Sequence, residues 1–205
     1  PIGFKLCVGQ PHEFAALCHA MLDANVAPDF VTVDGTEGGI SRFHLSGGDV
    51  VWNVGTGYFG CGKTIDDEGT RAFCPDQFKE NATKEQVKMI EIKLSQGAKP
   101  AHGGILPAAK ITSLIAEARG LGEGPWLTDC ASPPRHSAFG SPAELIQFVQ
   151  QLRELSGGKP IGFKLCVGQP HEFAALCHAM LDANVAPDFV TVDGTEGGIS
   201  RFHLS

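Results

Sequence analysis

The chain has 205 residues, 42% of them apolar and 19% charged, which suits one or two globular domains and argues against a disordered segment. Its net charge of -7, with 16 scattered Lys and Arg, argues against a nucleic-acid or anionic-membrane surface. It leaves room for a small anion held by one or two local lysines. Neither a basic-then-apolar N-terminus nor an apolar run of about 18 residues is present, so no signal peptide or membrane span is expected, and a cytoplasmic location is.

Gly3–Val8 and Phe30–Val33 are short apolar runs bounded by Gly, Pro and Asp, the pattern of strands. Between them Phe14, Leu17, Cys18, Met21 and Leu22 recur at helical spacing, predicting a helix over 11–26 with Pro11 at its first position. Val50–Val54 reads as a third strand, 76–87 as a weaker helix and Met89–Leu94 as a fourth strand. Ser113–Arg119 is a short helix stopped by Gly120, and Leu127–Ala131 a short strand. Ser141-Pro142-Ala143-Glu144 opens the clearest helix, with Leu145, Phe148, Val149, Leu152 and Leu155 on one face and Gly157-Gly158 at its end.

The chain then begins again. Residues 160–205 repeat residues 1–46 letter for letter, so strand, helix and strand follow once more. Repeats maintained as structural units drift at surface positions, whereas this one carries no substitution, which points to a very recent duplication, an engineered overlap, or a circular or misjoined gene. The whole pattern predicts βαβ units, a parallel sheet and a single α/β domain over 1–205: an incomplete or rearranged (β/α)8 barrel of the TIM type. Periodicity alone leaves a doubly wound sheet open.

Of the seven cysteines, Cys166 and Cys177 copy Cys7 and Cys18, and none forms a CxxC pair. Cys7 lies inside an apolar run, the placing of a reduced thiol packed as a small hydrophobe, and no metal site is expected. The stretch between Cys61 and Cys74, with Asp66, Asp67 and Gly69, reads as a loop.

Chemistry in parallel folds lies beyond strand C-termini. Lys93 and Lys164 both lie within strands, where a buried lysine needs a carboxylate, a carbonyl or an anionic ligand. Beyond them come Ser95-Gln96-Gly97-Ala98-Lys99, then Ser132-Pro133-Pro134 with His136, then Asp193-Gly194-Thr195-Glu196-Gly197-Gly198. Together these offer positive charge and amide donors to a partly anionic ligand. The plainer alternatives are lysines at strand edges with their amines in solvent, and glycines that only serve turns.

The run Gln86-Val87-Lys88-Met89-Ile90-Glu91-Ile92-Lys93-Leu94-Ser95-Gln96-Gly97-Ala98-Lys99-Pro100, followed by Gly103-Gly104 and Leu106-Pro107, resembles the central signature of the FMN-binding domain of glutamate synthase and its stand-alone relatives. Gly162-Phe163-Lys164-Leu165 and Val192-Asp193-Gly194-Thr195-Glu196-Gly197-Gly198 resemble later family segments in the same order. The resemblance implies a (β/α)8 flavoprotein barrel that reduces an iminoglutarate formed from 2-oxoglutarate and ammonia. It implies that Gln96 and Lys99 hold the substrate carboxylates or the flavin edge, and that Lys164 lies near flavin N1 and O2. It also makes Lys93, Gln96, Lys164, Asp193, Gly194, Gly197 and Gly198 cofactor-binding, with Lys164, Gln96 and Lys99 catalytic.

The chain departs from the family pattern as well. The early Ser-Phe-Gly-Ala type of motif, the late Gly-rich strands for the FMN phosphate and the cluster cysteines of the full-length enzymes are missing, and Glu37-Gly38-Gly39 runs directly into Ile40-Ser41-Arg42-Phe43-His44. The expectation is therefore a fragment that binds FMN weakly or not at all and self-associates through open sheet edges. The alternatives are a non-catalytic anion- or flavin-binding barrel, or a mis-assembled chain without activity.

Overall fold

The computed structural model describes residues 2–6, 11–33, 49–65, 71–95, 104–125 and 127–193. In chain order the elements are β1 (Gly3–Leu6), α1 (Pro11–Ala24), β2 (Phe30–Val33), β3 (Val50–Val54), β4 (Gly62–Thr64), β5 (Arg71–Phe73), α2 (Pro75–Ala82), β6 (Val87–Lys93) and β7 (Ile105–Leu106). A 3-10 turn (Ala108–Lys110), α3 (Ser113–Arg119), β8 (Cys130–Ala131), α4 (Pro142–Leu155), β9 (Ile161–Leu165), α5 (Pro170–Ala183) and β10 (Phe189–Val192) complete them.

The helix ends follow from local chemistry. Ser141 Oγ accepts the Glu144 N–H at 3.3 Å, and the Glu144 carboxylate accepts the Gly140 N–H at 2.6 Å, so orphan donors at the start of α4 are met. Thr112 caps α3 through the Ile115 N–H, and Gly120 ends it in the left-handed region at φ 64°.

β3, β6, β9 and β10 form one four-stranded sheet in which neighbours follow chain order and every pair is parallel. A doubly wound sheet reverses its order part-way, whereas a barrel adds each strand on the same side. The fold is α/β, and this order, with α2 and α4 packed on one face of the sheet, is that of an arc of a (β/α) barrel. One face of the arc buries Trp52, Val54, Ile90, Ile92, Ile161 and Phe163 against Phe78 and Ala82 of α2 and Leu145, Phe148, Val149 and Leu152 of α4. Alternation along the strands turns Asn53, Glu91, Lys93, Lys164 and Thr191 to the other face, which is the inside of a barrel.

Three sequence expectations are corrected. The segment 127–131 contributes only Cys130–Ala131, and this strand pairs antiparallel with β7 outside the parallel sheet. The stretch between Cys61 and Cys74 carries the antiparallel pair β4–β5, whose strands of three residues are too short to show alternation. The weaker helix stops at Ala82, and Val87 already belongs to β6, because its buried side chain suits strand pairing with Val50.

The described parts of the repeated segment fold alike in both places. β1 and β2 form their own parallel pair, with Gly3 opposite Phe30 as Gly162 is opposite Phe189. The Ile2 N–H donates to the Asp29 carboxylate at 2.6 Å, and Ile161 to Asp188 at 2.7 Å. Asn25 and Asn184 share a left-handed φ of 51°.

Candidate functional site

Lys93 ends β6 and lies in register with Lys164 on β9, which lies in register with Thr191 on β10. Three adjacent strands thus bring polar side chains to one end of the inner face. Lys164 is only 8% exposed, which overturns the solvent-edge alternative for this residue. Its Nζ lies 3.8 Å from the Asp193 carboxylate, an ion-pair distance longer than a hydrogen bond. Burial makes that partner necessary, and it leaves ammonium donors for an anionic ligand.

A carboxylate lies one layer deeper. Glu91 is 7% exposed and accepts a hydrogen bond from the Thr191 hydroxyl at 2.5 Å, reaching across β9 at Gly162. Gly162 itself lies against β10, where a Cβ would meet the Phe189 carbonyl oxygen at 2.5 Å and its ring at 2.6 Å. The inner face therefore holds Lys93 and Lys164 against Glu91 and Asp193. Sequence reading named three of the four and passed over Glu91, whose strand position next to Lys93 was the available signal.

The floor of the site is tied down by an aromatic cluster. The Lys93 carbonyl oxygen accepts from His136 Nε2 at 2.9 Å, and His136 Nδ1 lies 3.2 Å from the Tyr58 hydroxyl. The imidazole is thus the neutral Nε2–H form, with Tyr58 donating to Nδ1. The same hydroxyl accepts the Ala138 N–H at 3.0 Å. Burial lowers the His136 pKa below the ordinary value, partly opposed by the bond to Lys93, and burial raises that of Tyr58. His136 also stacks on Phe139.

Of the residues predicted for the site, Lys93, Lys164 and Asp193 are brought together. Gln96, Lys99, Gly194, Gly197 and Gly198 lie outside the described residues. Cys61 is fully buried in the core, and burial pushes its thiol up to about 12, which makes it a packing group and a poor nucleophile. No helix among the described residues is long and apolar enough to cross a membrane.

The family model described as the conserved region in glutamate synthase matches residues 31–201. The chain belongs to the glutamate synthase family. It is 38% identical over 163 residues to the glutamate synthase large subunit-like protein YerD of Bacillus subtilis strain 168, covering 79% of this chain and 29% of that protein. It is 36% identical over 122 residues to an archaeal-type glutamate synthase [NADPH] of Thermotoga maritima, covering 56% of this chain and 23% of that one. A ferredoxin-dependent glutamate synthase of Antithamnion sp. is 34% identical over 121 residues, covering 58% of this chain and 7% of its own length. The chain thus spans less than a third of these glutamate synthase relatives.

Proposed function

We propose that this chain is part of a flavin-dependent oxidoreductase of the glutamate synthase type, and that it carries the portion of the barrel which holds the flavin ring and the 2-oxoacid. The observation that carries this reading is the buried Lys164 ammonium beside Asp193 and in register with Lys93, inside a family match. Family order favours Lys164 over its copy Lys5, because the match begins at residue 31.

The residues present fit the ring end of FMN. A buried ammonium with donors to spare opposes the negative charge of a reduced isoalloxazine, and Asp193 is an acceptor on the neighbouring strand. When bound, FMN supplies the two-electron reduction. Lys164 would hold the cofactor's anionic edge and Lys93 would add charge beside it. Glu91 and Thr191 would fix the strands beneath, and His136 would hold the Lys93 carbonyl in place. By resemblance, Gln96 and Lys99 would bind the substrate carboxylates through charge-assisted hydrogen bonds.

The arc ends at β3 and β10, short of a closed barrel among the described residues. The chain by itself is therefore expected to bind FMN weakly and to turn over little. Titration of FMN against the purified chain, followed by quenching of flavin fluorescence, tests this. The expected result is saturable quenching that is lost on gel filtration and weakened about tenfold or more in Lys164→Gln, as for loss of a charge-assisted bond. Stoichiometric flavin surviving gel filtration would overturn the weak-binding claim; absence of saturable quenching would overturn the site.

A further inference from the structure

We propose that the edge of β6 away from β3, with the adjoining face of α4, is a seat that residues 2–33 can take in place of the identical residues 161–192. In the structure residues 161–192 hold it: β9 pairs with β6, α5 packs on α4, and Phe173, Leu176 and Met180 join the core. β6 has β3 on its other edge, so one segment alone can be seated.

Residues 2–33 meet every requirement for the same seat. They have the same sequence, the same helix limits, the same second strand, a first strand that begins one residue later at Gly3, the same internal register and the same Asp-to-Ile clasp. They form a separate sheet with their apolar stripe incompletely covered: Leu17 is 38% exposed, whereas its counterpart Leu176 packs against the core. The surface recognises features that both segments present. Arg153 Nη2 donates to the Ala186 carbonyl oxygen at 2.8 Å and to the Asp188 carboxylate at 2.9 Å, positions that Ala27 and Asp29 repeat. Burial pushes the Asp188 carboxyl up, but the Arg153 guanidinium and the backbone N–H donors, Ile161 among them, together hold it below its ordinary value.

The tether allows the exchange. With residues 2–33 docked, residues 34–49 must carry the chain from the end of β2 to the start of β3. The crossing spans three strand spacings of about 4.8 Å and one strand length. An extended segment of that length reaches roughly 50 Å. Residues 156–160 form the shorter tether of the seated segment, so by the -3/2 power of tether length the alternative frame is populated about sixfold less. The exchange replaces Lys164 by Lys5 at the inner face.

Two double variants test this, Lys93→Cys with Lys164→Cys and Lys93→Cys with Lys5→Cys, each treated with a short bifunctional thiol reagent. Linked peptides are identified by mass spectrometry of the monomer fraction, where the substitution at position 5 or 164 tells the two copies apart. The expected result is a 93–164 link and a 93–5 link within one chain, the second forming at about one sixth of the initial rate of the first. Adding Gly162→Val, which places side-chain atoms against Phe189 in the seated copy only, is expected to raise the 93–5 link to the major product. The proposal is overturned if the 93–5 link is absent in both backgrounds while 93–164 forms, if it forms only between chains, or if neither link forms.

Discussion

Tyr58 occupies a left-handed backbone conformation at φ 46° and is fully buried, a combination that a non-glycine residue keeps only when its surroundings hold it there. What holds it is its hydroxyl, shared between His136 and the Ala138 N–H. Tyr58→Phe is expected to cost about 1–2 kcal/mol in urea unfolding, because His136 Nδ1 loses its donor in a buried place. The same cluster gives a pH dependence. His136 is held neutral, so below its ordinary value of 6.5 the unfolded chain takes up a proton that the folded chain refuses. Its contribution is fully present above that value and is lost as the pH falls through and below it. Stability measured between about pH 5.5 and pH 7.5 should rise with pH, and His136→Gln should flatten that rise. Sequence reading saw His136 only as part of a motif, since nothing local announces that a histidine will meet a tyrosine so distant in the chain.

Among the elements, those legible beforehand were the ones whose signals are local. Helix α4 showed its serine, proline, glutamate and paired glycines in the order that helix ends require, and each takes the expected part, with Gly157 and Gly158 both at positive φ. Ser141→Ala is expected to cost about 1 kcal/mol by thermal or urea unfolding, through loss of the bond to the Glu144 N–H. The β4–β5 pair was illegible because strands of three residues carry no period, and its position depends on tertiary contacts instead. Arg71 Nη2 donates to the Gly62 carbonyl at 2.6 Å and its Nε to that of Gly57 at 3.2 Å. Gly62 is also a point of close approach: a Cβ there would lie 2.6 Å from Tyr58 Cβ and 2.8 Å from its carbonyl oxygen. Gly62→Ala is therefore expected to destabilise by about 1–3 kcal/mol, measured by shift of the unfolding midpoint at constant slope. Lys93 and Lys164 were legible as candidates because a lysine inside an apolar strand demands a partner, while Glu91 was hidden among the same letters.

At the scale of the whole molecule, the family's barrel is present as an arc, and an arc has two edges. β3 and β10 each pair on one side only within the four-stranded sheet, and a closed barrel is what ordinarily removes such edges. Val51 on β3 is 47% exposed, so the edge presents apolar surface, and among the described residues no strand pairs with β3 on its outer side. The net charge of -7 opposes association at long range but is screened within about 10 Å at 0.1 M salt. Sedimentation velocity is accordingly expected to show self-association that grows with protein and salt concentration. Val51→Lys places a charge on the edge and should return the chain to monomer without loss of folded signal. If the variant associates as the parent does, the contact lies elsewhere, because a lysine on an edge strand disfavours the addition of a further strand.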